Sequence, residues 1–143
     1  MPYWKLYYHF VWSTKGRLPL ILPAFEADLH RVIAAKIIKM GGSIQAIGGI
    51  EDHVHLAVSI PPKLALARFV GEVKGNSSHY INQVLKPDFE FYWQDEYGVL
   101  SLGEKSLPAV VRYIHNQKQH HTNGTLIAAM EQSDDLSTIS AVG

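Results

Sequence analysis

The order of apolar and polar positions divides the chain into segments typical of strands and of helices. Residues 3–13 are dense in aromatic and β-branched side chains, which predicts a mostly buried strand. In residues 24–40 the apolar side chains recur three and four positions apart, which predicts an amphipathic helix. Applied to the whole chain, these patterns predict strands at residues 3–13, 43–50, 53–60, 89–93 and 98–102, and helices at residues 24–40, 64–85, 106–120 and 126–130.

The sequence of these segments predicts a single α+β domain. A strand, a helix, two strands, a helix and further strand follow one another, which indicates the split βαβ, ferredoxin-like arrangement. This is an antiparallel sheet with helices on one face, here with an added C-terminal helix. A chain of 143 residues closes one hydrophobic core, so we expect one domain over residues 1–132. Residues 133–143 are small and polar and predict a disordered tail.

Composition narrows the class of protein. The hydrophobic fraction of 47% and the charged fraction of 18% are typical of a globular protein. No apolar run reaches the roughly 18 residues of a membrane span, and no leader pattern is evident, so we expect a cytoplasmic protein with no membrane partner. Without cysteine, a metal site must use histidine, carboxylate or amide ligands. Thirteen basic and thirteen acidic side chains balance, so any contact with nucleic acid must rest on local charge.

The first candidate site is a pair of histidines in the predicted hairpin. His53 and His55 lie two positions apart in a strand and therefore point to the same face of the sheet. Two imidazoles placed in this way can converge on one metal ion. For an isolated pair, hydrogen bonding within a half-buried sheet is the more frequent explanation. The pair alone therefore does not decide between a metal site and a structural role.

The third predicted helix offers further groups for the same site. Tyr113, Gln117 and then His120 or His121 share one helical face at spacings of four and then three or four positions. Such a face can hold one metal ligand beside a nucleophilic hydroxyl. The alternative interpretation is that Tyr113 is a core aromatic and Gln117 a solvated polar residue.

Five segments between about residues 8 and 121 read YHFVWSTKGR, DHVHLAVSIPP, VKGNSSHYIN, WQDEYGVLSL and YIHNQKQHH. Taken together, these segments resemble the single-tyrosine transposases of the insertion sequence 200/605 family, which belong to the HUH class named for histidine-hydrophobic-histidine. The sequence departs from the family at Gly16, where an aromatic is frequent, and after His121, where the match is loose.

The resemblance implies a DNA transposase that cleaves and rejoins single-stranded DNA at the ends of an insertion element. It implies that Tyr113 attacks a phosphate to give a 5′-phosphotyrosine, and that His53, His55 and Gln117 hold Mg²⁺ or Mn²⁺. It also implies hairpin-containing DNA ends and a homodimer in which the tyrosine helix completes the partner's site. Two roles stay open for Asp52, as an acceptor that orients one of the histidines or as a turn-capping residue.

An unpaired DNA strand requires cations along its path. The candidate contacts are Lys15, Arg17, Lys63, Arg68, Lys74, Lys105, Arg112 and Lys118, each of which is individually explained as a solvated surface charge. The alternative function is a non-catalytic module that binds single-stranded DNA or RNA, because the ferredoxin-like sheet also occurs in RNA-binding domains. A nucleotide hydrolase of the histidine-triad type would need a third alternating histidine, and Ala57 stands at that position.

Overall fold

The computed structural model describes residues 3–124 and 126–133, and in that part of the chain four strands and five α-helices form. The strands are β1 (Tyr7–Ser13), β2 (Ser43–Ile50), β3 (His53–Ser59) and β4 (Gly98–Leu102). The helices are α1 (Glu26–Lys39), α2 (Leu66–Tyr80), α3 (Leu107–His115), α4 (Gln117–Asn123) and α5 (Ala128–Glu131). Within these residues no helix has both the length and the apolar character that crossing a membrane requires. The predicted disordered tail falls on residues 134–143, which lie outside the described residues, and on Ser133.

The four strands form one antiparallel sheet in the order β2-β3-β1-β4. The two central strands are the first and third in the chain, which is the ferredoxin-like order and confirms the predicted α+β fold. Strand β1 pairs with β3 along its whole length, so that Val11 lies opposite His55 and His9 opposite Ala57.

Helices α1 and α2 cover one face of the sheet and enclose the main core. Side chains at alternate positions of β1 and β3 point into this layer, as the period of two along a strand requires. Its fully buried members include Phe10 and Trp12 of β1, Val54, Leu56 and Val58 of β3, Leu29, Ile33 and Ile37 of α1, and Phe69 and Val73 of α2.

The C-terminal helices cover the opposite face. Here α3 packs Val110 and Ile114 against Ala57, which forms a second and smaller apolar cluster. The close approach of α3 to β2 depends on Gly48, because a Cβ atom there would lie 2.4 Å from the carbonyl oxygen of Ile114. On this face β1 and β3 also carry three buried histidines, His9, His53 and His55. This face therefore combines a small apolar contact with buried polar side chains.

The predicted strand at residues 89–93 is wrong. Only Trp93 forms a bridge, with Thr14, and the surrounding backbone is irregular. Phe91 and Trp93 instead bury their rings in the main core. The backbone N–H and carbonyl of Phe91 are satisfied by the side-chain amide of Asn82, at 2.7 and 2.9 Å. The aromatic content of this segment therefore reflects core packing rather than strand pairing.

Two predicted boundaries also change. The first strand begins at Tyr7 rather than at residue 3. The predicted helix at residues 106–120 is interrupted at Asn116, whose φ of −101° and ψ of 19° are not helical, so that α3 and α4 are separate helices. The interruption redirects the chain directly before Gln117.

Candidate active site

His53 and His55 lie on the face of β3 that α3 covers, and both side chains are buried. Val54 and Leu56 point into the main core on the other face, as the alternation along the strand predicts. The ring centroids of the two histidines are 5.0 Å apart. The sequence-based expectation that both imidazoles share one face is therefore met.

Each histidine is held through its Nδ1 atom. The Nδ1 of His53 donates a hydrogen bond to the carboxylate of Asp52 at 2.7 Å, and the Nδ1 of His55 lies 2.9 Å from the Nε2 of His9. Both Nε2 atoms are left facing the same point. The Asp52 carboxylate thus makes the contact with His53 that the first of its two considered roles requires.

His9 is a partner that the sequence alone did not indicate. It is buried on β1, and its ring stacks on that of His55 with centroids 5.2 Å apart. Burial and then the neighbouring charge of His55 lower the pKa of His9 to about 4. A neutral His9 ring can form one hydrogen bond with His55 without adding a second buried charge to the sheet.

Helix α4 brings an amide and a third imidazole to the same point. The Oε1 of Gln117 lies 3.1 Å from the Nε2 of His53. The Nε2 of His121 lies 3.0 Å from the Oε1 of Gln117 and 3.1 Å from the Nε2 of His53. His120 instead stacks on Tyr113, with ring centroids 4.4 Å apart. Of the two histidines considered in this helix, His121 is therefore the one that reaches the centre.

Glu131 of α5 also enters this centre, although no sequence pattern singled it out. Its Oε1 lies 3.1 Å from the Nε2 of His55 and 3.3 Å from the Nε2 of His53. Its Oε2 accepts hydrogen bonds from the amide of Gln117, at 2.9 Å, and from the hydroxyl of Tyr113. One carboxylate thus links the tyrosine to the histidine pair.

Tyr113 lies beside the histidine pair of its own chain. Its ring is 6.1 Å from that of His55, and its oxygen accepts a hydrogen bond from the backbone N–H of Ile127 at 3.0 Å. Burial and the hydrogen bond to Glu131 raise the pKa of the phenol above its ordinary value. The hydroxyl is therefore protonated at neutral pH and donates to the carboxylate.

The electrostatics of the centre favour a positive charge. Burial lowers the pKa of His53, but hydrogen bonds with Asp52, Glu131 and Gln117 outweigh it and raise that pKa to about 9. For Glu131, burial is outweighed by hydrogen bonds with the two β3 histidines, which hold its pKa well below the usual range. His121 has its pKa lowered, mainly by burial and then by the charge of His53. The negative groups that stabilise one proton in this centre would also stabilise one metal cation.

The donor atoms fit a divalent cation. Two ligands about 2.1 Å from an ion and at right angles to each other lie about 3 Å apart. The donor atoms of His53, His55, Gln117, His121 and Glu131 include neighbours at 3.0 to 3.3 Å. Ligand atoms of the two β3 histidines and Glu131 all lie within 4.8 Å of one another. The three ligands expected from the sequence are thus together, with two further donors beside them.

Two of the candidate DNA-contacting cations, Arg17 and Lys118, lie close to this centre or to its supports, and Lys15 lies beside an aromatic ring. The Arg17 guanidinium is 3.6 Å from the carboxylate of Asp52. The Lys118 ammonium donates to Glu26 and to the carbonyl of Gly49, and it shares a surface pocket with His121. The Lys15 ammonium lies 5.4 Å from the ring centroid of Tyr92.

The other five candidate cations lie elsewhere. Lys74 donates to the carbonyl oxygens of Gln94 and Glu96, at 2.8 Å each, and so holds the loop before β4. Lys63 and Arg68 line a groove between α1 and α2, and Arg68 also approaches Glu72 at 3.7 Å. Lys105 and Arg112 are exposed. The expectation of DNA contacts at these residues stays a prediction.

Comparison with known proteins gives a consistent result. Residues 2–117 match the family model described as "Transposase IS200 like". The chain is 25% identical over 120 residues to the ISDra2 transposase TnpA of Deinococcus radiodurans, covering 80% of this chain and 85% of that protein. It is 27% identical over 131 residues to the transposase for insertion sequence element IS200 of Salmonella typhimurium, covering 85% of this chain and 82% of that protein.

Two solved structures share the fold. A crystal structure from Deinococcus radiodurans, described as that of a transposase, superposes with a TM-score of 0.65 at 26% identity, over 81% of this chain and 93% of that one. A REP-associated tyrosine transposase bound to a REP hairpin superposes with a TM-score of 0.63 at 17% identity, over 88% of this chain and 73% of that one. At that identity the second likeness concerns the fold alone.

Proposed function

This chain belongs to the IS200-like transposases, and from that premise we propose that it cleaves and rejoins single-stranded DNA by metal-assisted transesterification through Tyr113. The observation that carries the proposal is the single buried centre that joins a phenol to imidazole and amide donors. The Tyr113 hydroxyl binds one oxygen of Glu131, and the other oxygen lies 3.1 Å from the Nε2 of His55. A tyrosine that only packs in the core would not need this hydrogen-bonded link to the histidine pair.

His53, His55 and Gln117 are the ligands that the proposal assigns to Mg²⁺ or Mn²⁺, with Glu131 as a carboxylate beside them. When bound, the cation supplies Lewis acidity and orientation to a phosphate oxygen. Asp52 and His9 keep the Nε2 atoms of the two histidines aimed at the centre through their contacts of 2.7 and 2.9 Å. Fixed ligands of this kind do not have to reorganise when a phosphate enters.

Tyr113 is the nucleophile in this proposal. Its oxygen attacks the scissile phosphorus, a P–O bond to tyrosine forms, and the P–O3′ bond breaks. The products are a 5′-phosphotyrosine and a free 3′-hydroxyl. The phenolic proton leaves along the hydrogen bond to Glu131, and the departing O3′ takes up a proton. Because the number of P–O bonds is unchanged, the same tyrosine can join the strand to another 3′-hydroxyl.

We assign hairpin-containing element ends as the DNA substrate. A fold neighbour is a tyrosine transposase bound to a hairpin, and a strand folded into a hairpin leaves its flank unpaired and open to attack. A homodimer in which the tyrosine helix completes the partner's site is the second part of this proposal. In the single chain, Tyr113 lies beside its own His55, with ring centroids 6.1 Å apart, so the exchange would replace this contact with the same contact to the partner's helix.

The proposal is tested by forming the covalent adduct. Full-length protein is incubated with Mg²⁺ or Mn²⁺ and hairpin-flanked single-stranded DNA labelled at its 3′ end, and the mixture is separated under denaturing conditions. We expect a labelled protein band that disappears in Tyr113→Phe, because phenylalanine has no nucleophilic oxygen. Tyr3→Phe, at a side chain that is 83% exposed, is the matched control and should retain the band. A wild-type level of adduct in Tyr113→Phe refutes the assignment of the nucleophile.

The same assay distinguishes the two placements of the tyrosine. Tyr113→Phe and His55→Ala each remove one half of the site, so a mixture of the two proteins is informative. If the tyrosine helix is exchanged between protomers, the mixture regains adduct formation. If each chain uses its own tyrosine, the mixture stays inactive.

A further inference from the structure

Helix α4 contributes an imidazole that the three-ligand site does not use. The Nε2 of His121 is 3.1 Å from the Nε2 of His53, 3.0 Å from the Oε1 of Gln117 and 3.6 Å from the Oε1 of Glu131. Its side chain is only 22% exposed. His121 therefore lies within 3.6 Å of donor atoms of His53, Gln117 and Glu131.

The hydrogen-bonding pattern leaves lone pairs facing one another at this point. The Nδ1–H of His53 donates a hydrogen bond to Asp52, so a His53 ring that has lost its second proton presents the lone pair of Nε2 to the centre. The amide nitrogen of Gln117 donates to Glu131, which leaves its Oε1 turned toward the two imidazoles. At separations of 3.0 and 3.1 Å, these atoms are held together either by a proton on one of the imidazole Nε2 atoms or by a cation bound between them. The geometry of His121 is that of a ligand.

The break at Asn116 accounts for this placement. Gln117 is the first residue of α4, and His121 follows it by four positions on the same helical face. His120 lies on the adjacent face and stacks on Tyr113, with an angle of 22° between the ring planes. Neighbouring histidines in one helix are therefore separated into one that reaches the donor cluster and one that packs on the nucleophile.

We propose that His121 is a third imidazole ligand of the metal site, and that the resulting nitrogen-rich site selects Mn²⁺ and later first-row ions over Mg²⁺. The inference rests on the proposed metal-assisted function and narrows its choice of cation. Three imidazoles, an amide and a carboxylate form the donor set. Mg²⁺ prefers an all-oxygen octahedron that keeps several waters, whereas imidazole nitrogen suits transition ions.

The test measures metal binding directly on full-length, chelator-stripped protein without DNA. Mn²⁺ binding is followed by electron paramagnetic resonance of the free ion, and Mg²⁺ binding by its competition with Mn²⁺. We expect His121→Ala to raise the dissociation constant for Mn²⁺ at least about tenfold, since even indirect partners of ligands are worth 10- to 100-fold. The constant for Mg²⁺ should change less, so the ratio between the two constants should fall.

His120→Ala is the matched control, because it removes a neighbouring imidazole that stacks on Tyr113. It should leave both constants within about twofold of wild type. His121→Gln serves as a second variant that keeps a polar side chain, and circular dichroism checks that each variant is folded. Equal loss of Mn²⁺ affinity in His120→Ala and His121→Ala, or wild-type selectivity in both His121 variants, overturns the proposal.

Failure of this inference is distinguishable from failure of the proposed function. If His121 is only a hydrogen-bond partner of His53, the ratio of the two metal constants stays unchanged while Tyr113 still forms its DNA adduct. If the chain binds metal through His121 but forms no adduct, the metal assignment stands and the transposase chemistry does not.

Discussion

The two faces of the sheet differ although the same strands build them. On the face toward α1 and α2, β3 presents Val54, Leu56 and Val58, all fully buried among apolar side chains. On the face toward α3 it presents His53 and His55, which are just as buried but surrounded by polar partners. Alternate residues of one strand therefore pack in the hydrophobic core on one face and form the candidate active site on the other.

This difference shows how a small domain can hold buried histidines. Burying a polar group without a hydrogen bond is unfavourable by several kcal/mol. Here the Nδ1 of each β3 histidine has its own partner, Asp52 or His9. The apolar face supplies the burial energy that keeps these groups in place, and the polar face contributes specificity of orientation. The two faces can therefore be perturbed separately.

The largest expected effect is on the apolar face. Leu56 is fully buried, and Leu56→Ala should lower the free energy of unfolding by about 2 to 5 kcal/mol through lost burial and a cavity. Leu100→Ala, at a 43% exposed position of β4, is the control and should change it by about 1 kcal/mol or less. Urea denaturation measures both. The folded Leu56→Ala protein should bind Mn²⁺ as wild type does, and a weakened affinity would show that the faces are coupled.

An intermediate effect is expected at the contact between α3 and the sheet. In Gly48→Ala the new Cβ would meet the carbonyl oxygen of Ile114 at 2.4 Å, so α3 must shift and take Tyr113 with it. A displacement of about 1 Å at a reacting group reduces rate by roughly 100-fold, and we expect that loss in the rate of adduct formation.

The control for this prediction is another glycine. Gly71→Ala adds a Cβ with no heavy atom within 4 Å, and alanine is the better helix former by about 1 kcal/mol. Its rate of adduct formation should equal that of wild type. Equal rates in Gly48→Ala and wild type would mean that the docked position of α3 does not limit the reaction.

The smallest expected effect is a difference in pH dependence. The pKa of His9 is about 4 in the folded chain, against an ordinary value of 6.5, so the unfolded chain binds more protons as pH falls below 6.5. As the pH falls from 6.5 to 5, His9 should therefore lower the free energy of unfolding by about 1.5 kcal/mol. His9→Gln keeps a hydrogen-bonding side chain but cannot titrate, so its stability should fall less over this range.

Urea denaturation of the metal-free proteins at these two pH values measures the effect. His53 has a raised pKa and titrates in the opposite sense, but it is present in both proteins. Parallel pH profiles for wild type and His9→Gln would contradict the role assigned to burial of His9.

Local patterns in the sequence predict most of the fold and half of the centre. Alternation along β3 is enough to direct His53 and His55 to one face and Val54 to the other, because side-chain direction in a strand is a local property. The positions of Tyr113 and Gln117 were indicated by helical spacing and by the family resemblance, and the structure brings both to the histidines.

The remaining parts depend on contacts between distant segments. His9 reaches His55 because the register of β1 against β3 pairs it with Ala57, and no local pattern sets that register. Glu131 is 76 positions from His55 in a four-residue helix, and a single carboxylate has no spacing to recognise. The strand expected at residues 89–93 fails for a similar reason, since aromatic content does not distinguish core packing from pairing.

The donor atoms of the centre come from β3, α4 and α5, which are far apart along the chain. His53 and Gln117 are separated by 64 positions, and His55 and Glu131 by 76. An ion bound by all three segments closes two long loops, and the stability it contributes depends on its free concentration relative to its dissociation constant. Metal supply would then set how firmly the C-terminal helices are held to the sheet, and protection of their amides from hydrogen exchange would report the occupancy of the site.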